Sequence, residues 1–155
     1  MLFRSKIDLS AKKIAAGWPK VGYNGEDEQI LGFYAKASGT VKSRTSMFAG
    51  KKLADIFIFA MALGKNAGIG QDYEKKSDRR DNIDMEYIAN QPEYLWMMIA
   101  VALEEAEKNK EKEILKIFDN PKEKIIDVCE RYANYGIRLL MNMEKRASSS
   151  DLYIG

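Results

Sequence analysis

The sequence predicts an all-α fold: a single domain over residues 1–155, with about five to six helices around a buried central helix near residues 51–66. Three observations predict it. Ala, Leu, Met, Glu and Lys are abundant and there are only three prolines in 155 residues, a composition that favours helix. Apolar residues recur at three- and four-residue steps through the C-terminal third, as they do along one face of a helix. Two stretches, Asn90-Gln91-Pro92-Glu93 and Asp119-Asn120-Pro121-Lys122-Glu123, read as helix starts, because proline suits the first turn and a carboxylate there complements the helix dipole.

The central element is KKLADIFIFAMALGKNAGIG, Lys51 to Gly70, the most apolar passage of the chain. Its apolar part, Leu53 to Leu63, contains Asp55 and falls short of the roughly 20 residues that span a bilayer. Gly64, Gly68 and Gly70 lack the following Lys-Ser/Thr of a phosphate-cradling loop. The passage is therefore expected to be a core helix with apolar residues on nearly every side, stopped by Gly64 in the left-handed conformation. A lone charge in such a helix is costly. Asp55 is expected at a boundary or in a structural ion pair with Arg131, Arg138 or Lys52.

The other elements follow in order. Ser5 to Ala16 fits a short amphipathic helix with Ile7, Leu9 and Ile14 on its apolar side, broken at Gly17-Trp18-Pro19. GWPKVGYNGEDE reads as a loop, since Gly, Pro and Asn-Gly cluster there. Trp18 and Tyr23 are expected as lids on the core. Glu28 to Ala37 fits a helix with Ile30, Leu31, Phe33 and Tyr34 on its apolar side. SGTVKSRTSMFAGKK reads as a polar, basic loop, and residues 67–82 as a second polar loop, long enough to suspect of function. A short run, Ile83 to Ile88, precedes the helix that starts near Pro92 and turns amphipathic, with Asn109 as a kink point. The last helix is predicted over 121–146. Its apolar face is Ile125, Val128, Cys129, Tyr132, Gly136, Leu139, Leu140 and Met143, and Ala147-Ser148-Ser149-Ser150 ends it.

The residue inventory restricts the chemistry. The chain has no histidine and one cysteine, which removes Ser-His-Asp and Cys-His triads, histidine zinc sites and an internal disulfide. Cys129 reads as a small core residue. Glu104 and Glu107 are neighbours on a helix and can pair for a metal, but lysines interleave with them, so a solvated face is the stronger reading. Glu74-Lys75-Lys76 fits the Glu-x-Lys element of a restriction-type nuclease only in letters, because it lies in a polar loop. The N-terminus MLFRSKIDLS lacks the apolar run and cleavage site of a secretory signal, and the single cysteine suits a reducing compartment.

Charge is uneven despite a net of +2. Through Lys52 there are ten Lys/Arg against four Asp/Glu, and the remainder carries fifteen against nineteen. Such a half can meet polyanions or pair with the acidic half. The candidate nucleic-acid-binding residues are Lys12, Lys13, Lys20, Lys36, Lys42, Arg44, Lys51 and Lys52, with Arg79 and Arg80 in the polar loop. Tyr23, Phe33 and Tyr34 interleave with them. These cations would neutralise phosphates without reading sequence, DNA or RNA alike.

At KKLADIFIFAMALGKNAGIG and KIFDNPKEKIIDVCERYANYGIRLLMNM the chain resembles small proteins associated with the Dnd DNA phosphorothioation systems. That family carries an Ala-Asp-x-apolar-Ala-Leu-Gly helix, a glycine- and basic-rich loop, and a last helix with a Tyr-Ala-Asn-x-Gly-like element. Ala54, Asp55, Ala62, Leu63 and Gly64 match the first element; Tyr132, Ala133, Asn134 and Gly136 match the second. The likeness covers about the last two thirds of the chain and leaves out GWPKVGYNGEDE. It implies a cytoplasmic accessory protein encoded beside DNA modification or restriction enzymes, with no catalytic residues to carry over.

The leading expectation is a non-enzymatic accessory protein of a prokaryotic DNA modification or defence system. It binds protein partners, and DNA or RNA through its basic half, with no cofactor, no metal and no membrane. Three rivals stand beside it. One is a helical small subunit of an RNA-guided defence complex or a virus-encoded helical protein. Another is a structural homo-oligomer using the Met- and aromatic-rich helix Tyr94 to Leu103. The third is an enzyme working with Glu or Asp and a divalent metal.

Overall fold

The computed structural model describes residues 10–25, 28–37, 52–68, 79–108 and 117–154. The fold is all-α in class, as the composition and periodicity predict. The helices are α1 (10–15), α2 (Glu28–Ala37), α3 (Leu53–Ala67), α4 (Met85–Ala89), α5 (Pro92–Lys108) and α6 (Asp127–Ile154). One π-helical turn, Lys122–Ile126, leads into α6. Two short strands, β1 (Val21–Asn24) and β2 (Arg79–Ile83), pair with each other. By packing, the chain divides into two units, Met1–Gly22 with Asp81–Glu130 and Tyr23–Arg80 with Arg131–Gly155. No helix among the described residues is long and apolar enough to cross a membrane.

In the first unit, α1 stops where expected. Gly17 takes a left-handed backbone (φ +83°), and the Trp18 amide donates to the Ala15 carbonyl at 3.0 Å. Pro92 opens α5, and the Tyr94 amide donates back to the Gln91 carbonyl at 2.9 Å. This helix is amphipathic: Leu95, Met98, Ile99, Ala102 and Ala106 are buried, while Trp96, Met97 and Ala100 lie outward. Both α4 and the π-helical turn pack against it, and the turn's Ile125 and Ile126 are fully buried. Residues 109–116, including the Asn109 kink point, lie outside the described set.

In the second unit, α2 packs against α3, as its apolar side predicts. Ile30, Phe33 and Tyr34 are buried, and the Tyr34 ring stacks on Tyr23 with centroids 4.0 Å apart and planes 16° off parallel. The central helix exists, but its burial and its stop differ from the sequence reading. It is not buried all round: Ala54, Ile56, Phe57, Ile58, Ala60 and Met61 are enclosed, whereas Phe59 is 49% exposed and Asp55, Ala62 and Leu63 are half-buried. Asp55 stands in the first turn, where its Oδ2 accepts the Lys52 amide at 3.1 Å, so its charge meets the positive end of the helix. Gly64 is not the stop. The helix runs on to Ala67, and Gly68 is the left-handed cap (φ 75°), its amide reaching the carbonyls of Gly64 (3.2 Å) and Lys65 (3.1 Å).

Two segments read as loops contain strands. GWPKVGYNGEDE holds β1, and the end of the 67–82 stretch holds β2; residues 69–78 lie outside the described set. The last helix also outruns its expected end at Arg146 and continues to Ile154. Ser148-Ser149-Ser150 costs only tenths of a kcal/mol per residue in helix propensity, and no Pro or Gly follows until Gly155.

Candidate functional site

Around the α1–β1 turn the first unit carries a cleft of about 440 Å³. Lys12, Ala15 and Ala16 from α1, Gly17, Trp18 and Lys20 from the turn, and Asp84, Met85 and Glu86 at the start of α4 line it. Trp18 is half-buried, so part of its ring remains accessible. Lys20 forms an ion pair with Asp84 at 3.5 Å between two solvent-exposed side chains, an arrangement that stabilises little. The lining is thus balanced, two ammonium groups against two carboxylates. It can hold a phosphate against the lysines only where that phosphate stands clear of Asp84 and Glu86.

The predicted basic residues are partly placed. Lys12, Lys13, Lys20, Lys52 and Arg80 are exposed. Of these, Lys12 and Lys20 come together at the cleft. Lys42, Arg44 and Lys51, and the side chains of Lys36 and Arg79, lie outside the described set. The aromatic residues that interleave with the cations are not a stacking platform: Tyr23, Phe33 and Tyr34 are all buried. Arg131 and Arg138 are half-buried on α6. Glu104 and Glu107 are exposed on α5, and among the described residues no three His, Cys, Asp or Glu side chains stand close enough to hold a metal ion.

The two sequence elements behind the family resemblance meet each other in the second unit. An added Cβ on Gly64 would lie 2.9 Å from the Tyr132 carbonyl carbon and nearer still to its oxygen. One on Gly136 would lie 2.6 Å from the Ala60 carbonyl carbon and 2.9 Å from the Gly64 nitrogen. The backbones of α3 and α6 therefore touch at a glycine pair. Lys65 sits 5.5 Å above the Tyr132 ring at the same crossing, close enough for a cation–π contact. Of the matched residues, Gly64, Tyr132 and Gly136 form this crossing.

Two polar side chains of α6 are buried and hold the β1 backbone. Within the first unit Glu130, 1% exposed, accepts the Gly22 amide at 2.9 Å across 108 residues of chain. Within the second, Asn134 accepts the Asn24 amide through Oδ1 at 3.1 Å. The sequence reading missed both. A usable signal was present: Ile126, Glu130, Ala133 and Ile137 form a row at four- and three-residue steps, so a carboxylate stands in an apolar stripe. Glu130→Ala is expected to cost about 1–3 kcal/mol by stranding the Gly22 amide, and Glu130→Gln less because it keeps an acceptor. Urea unfolding of both variants checks this; an alanine variant as stable as wild type contradicts it. Cys129 is fully buried beside Glu130, and its thiol donates to the Met98 carbonyl at 3.4 Å. Burial first, and then the Glu130 charge, push its pKa far up, so it stays a thiol at neutral pH and is no nucleophile.

The comparisons with known proteins place the chain. No curated protein and no solved structure matches it. A family model described as DNA sulphur modification system-associated protein 4 matches residues 36–152, a span that includes both helices of the glycine crossing and leaves out α1, the cleft turn and β1. With three quarters of its length matched, the chain belongs to the DNA sulphur modification system-associated protein 4 family.

Proposed function

We propose that this protein is a non-enzymatic accessory component of a DNA sulphur modification system, acting in the cytoplasm beside partner proteins and touching the DNA backbone through exposed lysines of its first unit. Family membership supports the accessory role. The observation that carries the DNA contact is the grouping of exposed Lys12 and Lys20 at an open cleft beside a half-buried Trp18, with exposed Lys13 next in sequence. Three lysines on phosphates, with Asp84 and Glu86 nearby, give weak binding without sequence preference.

The test is fluorescence anisotropy with a duplex oligonucleotide over a range of salt. Three phosphate contacts predict a log–log slope of about −3, and the Lys12→Glu/Lys20→Glu double variant flattens it by about two. Absence of binding at low salt, or a slope that the double variant leaves unchanged, removes the DNA contact.

A further inference from the structure

We infer that the cleft at the α1–β1 turn takes an unpaired base of a single DNA strand, stacked on Trp18, with guanine favoured over thymine. This deepens the phosphate contact proposed above and rests on it. The first support is shape: about 440 Å³ is ordinary for a pocket that encloses a small ligand. A duplex has nothing to insert there, since its bases are stacked inside and only their edges and the phosphates face outward. The second is Trp18, which lines the cleft and keeps part of its ring accessible. A flat indole is a stacking platform for any base, and only an unpaired base has a face to give.

The third is the arrangement of charge. Lys20 and Asp84 are paired at 3.5 Å, so their charges offset each other. Lys12 on α1 and Glu86 on α4 also line the cleft. Both are exposed, and neither has an ion-pair partner among the described residues. A bare phosphate gains from Lys12 and loses to Glu86. A nucleotide uses both, because it carries an anion at one end and N–H donors at the other. Guanine presents adjacent donors, N1–H and the N2 amino group, which one carboxylate accepts together. Adenine and cytosine set a single amino group beside an acceptor. Thymine holds its N–H between two carbonyls, which repel a carboxylate.

The test uses the full chain and three DNA ligands of about 16 nucleotides, the upper site size of single-strand-binding folds. One is an alternating guanine–thymine strand, the second an all-thymine strand, and the third the first annealed to its complement. In a Trp96→Phe background Trp18 is the one tryptophan left of two, so its fluorescence reports stacking. The guanine–thymine strand should quench it and bind at least about tenfold tighter than its duplex. It should also bind about threefold tighter than the all-thymine strand, since half its bases carry the favoured edge. By anisotropy, Trp18→Ala should weaken that strand at least about fivefold, and Trp18→Phe much less, because phenylalanine still stacks. Glu86→Ala should erase the preference over thymine and leave all-thymine binding no weaker. Binding without quenching, a duplex bound as tightly as the strand, or a base preference that survives Glu86→Ala overturns the proposal. So does free dGMP bound as tightly as the strand. The salt slope on duplex DNA reads the phosphate contact separately. A slope flattened by Lys12→Glu/Lys20→Glu, with no quenching of Trp18, keeps that contact and defeats the base site; no binding of any of the three ligands defeats both.

Discussion

Gly136→Ala lowers the stability of the chain by about 3 kcal/mol or more, at the upper end of what overpacking costs. The reason is what the new methyl meets. It would lie 2.6 Å from the Ala60 carbonyl carbon and 2.9 Å from the Gly64 nitrogen, both backbone atoms of α3. A flexible side chain could swing away; a helix backbone has to move as a body. Gly64→Ala faces Tyr132 and Gly136 from the other side and carries a similar cost. For a chain of this length the loss amounts to a fall in Tm of about 6–12 °C. Gly32→Ala is the control, because it sits in α2 with nothing within 4 Å of the added carbon, and it gains about 0.5–1 kcal/mol. Thermal unfolding of the three variants decides the matter, and a Gly136→Ala chain as stable as Gly32→Ala refutes the close crossing.

Phe57→Ala is the second large effect, about 3–5 kcal/mol. Phe57 is fully buried in α3, so truncation loses its transfer free energy and leaves a cavity that its neighbours only partly close. Phe59, two residues on, is 49% exposed, and Phe59→Ala should cost about 1 kcal/mol or less. The pair reads out the rotation of the helix. Equal losses in urea unfolding mean that the helix does not present the face described here.

The contrast at these positions shows what a single sequence can reveal. The helix over Leu53–Ala67 was legible because its apolar density, short length and Asp55 together exclude a membrane span. Its rotation was less so, since Phe57 and Phe59 are chemically the same and only the packing partner distinguishes them. Gly64 was misread for a physical reason. A glycine that caps a helix and a glycine that admits a neighbouring backbone share one property, the missing Cβ, and sequence context alone favoured the cap. The deciding partner, Gly136, lies 72 residues away. The same holds for β1 and β2. Val21–Asn24 and Arg79–Ile83 are too short and polar to alternate as strands do, and distant groups satisfy the β1 backbone, among them Glu130 and Asn134.

The functional reading was legible in part. The family resemblance rests on Ala54-Asp55 with Ala62-Leu63-Gly64 and on Tyr132-Ala133-Asn134-x-Gly136, and the matched span of 36–152 includes both elements. Gly64, Tyr132 and Gly136 among them pack two helices together, so they identify kinship without identifying a site. The candidate contacts instead sit on exposed Lys12, Lys13 and Lys20, outside that span, where no periodicity or spacing marks them. A cation on an open surface looks alike in sequence whether it meets phosphate or water.

The decisive measurement is the proton–proton distance between the two crossing glycines. In a nuclear Overhauser spectrum of the folded chain, the α-protons of Gly64 and Gly136 should give a strong cross-peak, as contact between two helix backbones requires. If that cross-peak is missing while both resonances are sharp and assigned, α3 and α6 do not meet there, and the packing of the second unit described here is wrong.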